Sequence, residues 1–157
     1  MMRKTITAYV AQDNPSDRDW LELERLARVE VSSEEEALPV EAALLPRRGS
    51  GWRAAKAGAQ TIRLVFDAPQ RLRQIWLVFS EAEKERTQEF VLRWSPDGGA
   101  SFQEILRQQW TFSPPETTRE IEDYRVDLAG VTVLELSIVP DISGGEARAS
   151  LEQLRLA

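Results

Sequence analysis

The stretch Trp94-Ser95-Pro96-Asp97-Gly98-Gly99-Ala100-Ser101-Phe102 decides the fold. Apolar residues lead in, a Ser-Pro-Asp-Gly turn follows, and an aromatic residue opens the next run. Proline at the second turn position presets φ, and Gly98 is free to take the left-handed conformation that closes a bulged hairpin. Both flanks alternate as strands do. Phe90, Leu92 and Trp94 share one face before the turn, and Phe102 to Phe112 continues the alternation after it.

Working outward, the same period of two persists. Ile62, Leu64 and Phe66 alternate with Thr61, Arg63 and Val65, and Ile75, Leu77 and Phe79 share a face. Val29 and Val31, Thr118 to Leu128, Val131 to Val139 and Ser150 to Leu156 complete a set of about eight or nine strands. Asp67-Ala68-Pro69, Pro114-Pro115, Ala129-Gly130 and Ser143-Gly144-Gly145 read as the turns between them. Short strands without intervening helices predict an all-β, antiparallel sandwich. The predicted core includes Ile62, Leu64, Phe66, Ile75, Leu77, Phe90, Leu92 and Leu136, and Trp76 and Trp94 are read as core too. Only the N-terminal part departs from this pattern. There a short strand, Thr5 to Val10, precedes a helix predicted over Ser16 to Arg28, with Ser16 or Asp17 placed to cap it.

A chain of 157 residues suits one domain, with 1–27 as an N-terminal segment and 28–157 as the sandwich. There is no cysteine, so neither a disulfide nor a thiolate nucleophile is available, and no histidine, which excludes Ser-His-Asp and Cys-His chemistry. The net charge of −6, from 26 acidic and 20 basic residues, repels a phosphate backbone, so no nucleic-acid partner is expected. No run approaches the roughly 20 apolar residues that span a bilayer, so no membrane partner is expected. The opening residues lack the pattern of a signal peptide, and a cytoplasmic location is the expectation.

The order of segments resembles a discoidin-like domain, the coagulation-factor type C or galactose-binding-like jelly roll. The resemblance covers about residues 28 to 157. It rests on Arg28 to Ser33, Gly51-Trp52, the strand Ile62-Arg63-Leu64-Val65-Phe66-Asp67, the strand Gln74 to Val78, the hairpin residues Ser95, Asp97, Gly98 and Phe102, and the closing Ala149 to Leu156. It implies a jelly-roll sandwich that binds ligands through loops at one end. Many carbohydrate-binding members hold a structural calcium in an Asp-rich loop. Here Pro39 to Gly51 has no aspartate, and no metal or cofactor is expected.

Two clusters are candidate sites. Trp52 and Arg53, with Arg47, Arg48 and Lys56 nearby, put an indole beside guanidinium groups, a pairing that suits a sugar ring or an anion. The competing reading makes Trp52 a plug in the sandwich end with the arginines solvated. Trp110, with Phe112, Pro114 and Pro115, is either a stacking platform or protein contact at a sandwich edge, or the inward face of a strand, since Trp110 and Phe112 are two apart. Glu120 and Glu122 share a face and read as solvated surface rather than as a catalytic pair. Glu81 to Arg86 reads as a solvated loop. The expected function is a non-catalytic binding module for carbohydrate or another polyhydroxylated ligand, a class that comes from the resemblance. The alternative is a protein-interaction module or a subunit of an assembly.

Overall fold

A computed structural model of the chain describes residues 19–46 and 51–157. The predicted strand Thr5 to Val10 lies outside them. The described part of the predicted helix is a single turn, α1 (Leu23–Leu26), which runs directly into strand β1 (Ala27–Val31). Leu23 is the one residue that this turn buries, so a longer helix would have had little to pack against. Val29 and Val31 favour the extended chain that replaces it. A second turn, α2 (Glu41–Leu44), buries Ala42, Ala43 and Leu44. It ends where Pro46 forces Leu45 into an extended conformation, with φ −100° and ψ 136°.

Six further strands precede the C-terminal one: β2 (Trp52–Ala57), β3 (Gln60–Ser80), β4 (Arg86–Ser95), β5 (Gln103–Phe112), β6 (Arg119–Val139) and β7 (Arg148–Leu151), with β8 (Gln153–Leu156) last. All strand pairs are antiparallel. Two long strands, β3 and β6, organise the molecule. The first half of β3 pairs with β1 and with the second half of β6, which continues to β4 and β5. The second half of β3 pairs with β8 and with the first half of β6, and β2 and β7 form a separate ribbon. Between the halves the register shifts at Val65 to Gln74, which is how one strand bends to serve both layers of a sandwich.

Asp67-Ala68-Pro69 and Ala129-Gly130, read above as turns between strands, are therefore corners inside β3 and β6. The buried positions change parity there: Ile62, Leu64 and Phe66 precede the corner, and Ile75, Leu77 and Phe79 follow it. All eight residues of the predicted core are buried in one cluster. Trp94 packs against that cluster, half-buried. Trp76 does not. It alternates with the inward-facing Ile75 and Leu77, and its indole N–H donates to Gln153 on the neighbouring strand.

The Ser95–Phe102 hairpin has the chemistry its sequence requires. The Asp97 carboxylate accepts from the Ser101 N–H at 2.9 Å and from the Ser101 and Ser95 hydroxyls, and these bonds hold it down at about 2, well below the usual range. Gly98 has φ +72° and donates its N–H to Thr132. A Cβ at Gly98 would meet no neighbour, so the cost of one is backbone strain alone. Gly98→Ala is expected to lower stability by about 1 kcal/mol, measured by chemical denaturation. An unchanged denaturation midpoint would mean that the turn relaxes to another conformation.

Candidate functional site

A cleft of about 300 Å³ opens at the end of the sandwich where β3 turns into β4 and β6 into β7. Its floor is apolar: Trp52, Leu151 and the half-buried Leu38. Its walls are polar and charged. They comprise Arg53, Ser80, the loop Glu81 to Lys84, Glu146, Arg148 and Glu152. The hairpin that decided the fold is elsewhere, a strand length of roughly 30 Å along β4 from this end.

Several wall groups are held in fixed orientation. Arg148 donates to Glu35 at 2.8 Å, and the Arg53 Nε lies 3.7 Å from the same carboxylate oxygen. Ser80 Oγ donates to one oxygen of Glu152 at 2.6 Å, and Arg119 to the other at 2.9 Å. Burial alone would raise the Glu81 carboxyl. The Arg86 guanidinium and the backbone N–H groups of Glu83 and Lys84 outweigh it and hold Glu81 below its ordinary value. The more exposed pairs among these, Arg148–Glu35 and Arg119–Glu152, contribute only about 0–1 kcal/mol each to folding. Their consequence is a preset arrangement of donors and acceptors around the cleft.

Trp52 is not the projecting indole expected of a ligand contact. It is 1% exposed, and its indole N–H donates to the Ser33 carbonyl at 2.9 Å. Strand β2 begins at Trp52 itself, so period two carries Trp52 and Ala54 inward and Arg53 outward. Gly51 fixes this segment tightly against its neighbour. With φ +81°, it lets the chain approach β7 so closely that a Cβ would sit 2.7 Å from the Leu151 carbonyl oxygen and 2.9 Å from Glu152 Cα. The plug reading of Trp52 is the correct one. Arg53 keeps its place on the cleft wall, half-exposed. Arg47 and Arg48 lie outside the described residues.

Trp110 does not reach this cleft. It faces inward on β5 with the fully buried Phe112 and packs against the core, its indole N–H without a partner.

The Glu120 and Glu122 pair also requires correction. They do share a face, but it is the interior one, with Tyr124, Val126 and Leu128, while Ile121 is the exposed residue. Glu120 is fully buried. Gln88 donates to its Oε1 at 3.0 Å, and its Oε2 has no partner. Burial first, and then the neighbouring Glu122 carboxylate, push Glu120 up to about 9. A proton on Oε2 makes that orphaned atom a donor facing Glu122, so one neutral carboxyl satisfies the geometry.

The sequence reading missed Ser80, Lys84, Glu146, Arg148 and Glu152. The available signal was the charge run Glu81 to Arg86, which lies between two strands and so had to sit at a sandwich end. Among the described residues, no group of three or more acidic side chains is arranged to hold a metal ion.

No protein-family model and no curated protein sequence matches the chain. Its architecture does match solved structures. A family 32 carbohydrate-binding module of Clostridium perfringens NanJ, in complex with galactose, superposes with a TM-score of 0.62 at 12% identity, over 83% of this chain and 92% of that one. A second C. perfringens module, CpGH89CBM32-5, in complex with GalNAc-β-1,3-galactose, gives 0.63 at 16% identity, over 87% and 98%. The family 32 module of AlyQ, in complex with 4,5-unsaturated mannuronic acid, gives 0.62 at 16% identity, over 84% and 95%. The fold is therefore the discoidin-like, galactose-binding-like jelly roll, and the chain spans nearly the full length of single modules of that fold.

Proposed function

We propose that the chain is a non-catalytic carbohydrate-binding module and that the end cleft takes the sugar. The observation that carries this reading is the cleft itself: an apolar floor ringed by cationic and carboxylate side chains. Each sugar hydroxyl both donates and accepts. A wall in which Arg53 and Arg148 offer donors and Glu152 offers acceptors meets both halves of that bonding. The structural neighbours described as bound to galactose, GalNAc-β-1,3-galactose or a mannuronic acid give the ligand class by analogy of fold. A carboxylate acting as general acid needs a raised pKa. Glu120 has one, but it faces the interior, and the cleft's Glu81 is shifted the other way.

A large exposed apolar patch around Trp110 to Pro115, or along the strands apolar on both faces, Ile75 to Phe79 and Val131 to Val139, would favour the protein-interaction reading. Trp110 and Phe112 face inward, and the large apolar side chains exposed among the described residues are Ile121, Val139 and Ile142. The carbohydrate reading is preferred for that reason.

A glycan array should identify a ligand, and calorimetry with Arg53→Ala and Lys84→Ala should then locate the site. Both side chains stand on the cleft wall, so affinity is expected to fall roughly tenfold or more in the double variant, with stability changed by less than about 0.5 kcal/mol. An array without signal, or affinity that survives both substitutions, overturns the assignment.

A further inference from the structure

We propose that Arg86 is the positioning residue of the end cleft: one buried guanidinium holds both of the loops that wall it. The biological use of this tether rests on the carbohydrate reading above; the tether itself does not.

Arg86 opens β4 and is 3% exposed. Its Nε donates to Glu81 Oε1 at 2.7 Å, and its Nη1 donates to the Pro140 carbonyl at 2.8 Å, with a longer contact to Gln88 Oε1 at 3.4 Å. The guanidinium carbon lies 4.7 Å from the centre of the Phe112 ring, which covers it. Removing a charge from water is costly, and well-packed apolar residues often replace a buried ion pair without loss of stability. Stability alone therefore does not account for an arginine here.

What an apolar side chain cannot do is bond in two directions. Toward one side, the Glu81 carboxylate that Arg86 fixes also accepts the N–H groups of Glu83 and Lys84, at 3.0 and 3.3 Å, and so shapes the loop that lines one part of the cleft. Toward the other side, Pro140 begins the β6–β7 connection. There Ile142 donates to Thr87 and Gly144 to Asp141 before the chain reaches Glu146 and Arg148 on the cleft wall. The planar fork of arginine reaches both loops at once. A lysine reaches one.

Hydrogen exchange of the full chain tests this directly. In Arg86→Met, the amides of Glu83, Lys84, Ile142 and Gly144 should exchange roughly tenfold faster, while those of Gly98 to Ser101 in the distant hairpin stay unchanged. Arg86→Lys should keep the loop at 81–84 protected through Glu81 and free only the 140–147 connection. Glu81→Gln should loosen 83–84 alone. If either loop is indifferent to Arg86→Met, or the hairpin accelerates equally, the tether is refuted. If Arg86→Met does not fold, Arg86→Lys decides by the same amides. Titration with galactose and N-acetylgalactosamine separates the two ideas. A wild type without signal on the glycan array defeats the carbohydrate reading and leaves the exchange result to judge Arg86. Binding that Arg86→Lys retains in full, with the 140–147 connection freed, defeats the positioning role.

Discussion

Trp52→Ala should unfold far more easily than the wild type, losing about 3–5 kcal/mol, the cost typical of truncating a buried tryptophan. The side chain is 1% exposed and packs within the main core cluster. Its removal leaves a cavity inside that cluster. It also strands the Ser33 carbonyl, which accepts the indole N–H at 2.9 Å. For a domain of this size, that loss corresponds to a melting temperature lower by roughly 10 °C or more. Trp52→Phe keeps a ring and loses the donor, so it should fall between the two, with a loss of about 1–3 kcal/mol. A melting temperature within two or three degrees of the wild type for Trp52→Ala would return Trp52 to the list of ligand contacts, since a residue that only meets ligand is truncated at little cost to folding.

The second large effect is a dependence of stability on alkaline pH. Burial and the Glu122 carboxylate raise Glu120 from 4.5 in the ordinary state to about 9 in the folded one. Between those values the folded protein holds a proton that the unfolded chain has lost. The stability associated with this proton is complete below about 4.5 and declines as pH rises through about 9. The decline amounts to a few kcal/mol over that window, at up to about 1.4 kcal/mol per pH unit from this one group. Glu81, Asp97 and Asp141 have lowered values and act in the opposite sense. Their contribution is present above the ordinary carboxylate range and is lost as pH falls. Glu120→Gln, neutral at every pH, should therefore flatten the alkaline limb, leave the acid limb, and be more stable than wild type at pH 8 to 9. Denaturation midpoints between pH 4 and 10 decide it. Parallel curves for the two proteins would show that Glu120 is ionised in the fold.

Much of the fold was legible because its determinants are local or periodic. The turn at Pro96 to Gly99 follows from dihedral preferences of the residues in it, and Gly98 takes the positive φ that it was expected to take. The inward faces of β3 and β4 follow from alternation alone, and Ile62, Leu64, Phe66, Ile75, Leu77, Phe90 and Leu92 all lie in the core. The corners at Asp67-Ala68-Pro69 and Ala129-Gly130 were legible as bends but not as continuations. A turn and a bulged corner use the same residue types, and only the pairing partners on either side distinguish them.

The candidate site was barely legible. A sequence gives the two faces of a strand, and an apolar run usually marks the buried one. On β6 the cue conflicts at its start: Ile121 is apolar yet exposed, and Glu120 is charged yet buried. The later residues Tyr124, Val126 and Leu128 carried the correct parity back to Glu120. Trp52 posed the converse problem. Neighbouring arginines suggested an indole at a ligand site, whereas Gly51 is there because the chain passes too close to Leu151 for any side chain, and Trp52 is buried beside it.

By itself, the sequence determined the all-β class, the antiparallel hairpin, most of the core and the absence of histidine and cysteine chemistry, because composition, turn geometry and period-two patterning need no knowledge of distant residues. Tertiary structure alone decided that Trp52 is a plug and that Glu120 is interior. It alone gathered Arg53, Lys84, Arg148 and Glu152 around one cleft and set Arg86 between the two loops that wall it. Arg53 and Glu152 lie nearly a hundred positions apart in the chain, and no local propensity encodes their proximity. It arises because the sandwich returns the ends of β2, β3, β6 and β7 to the same edge, and because burial, not residue type, sets which side of each strand meets water.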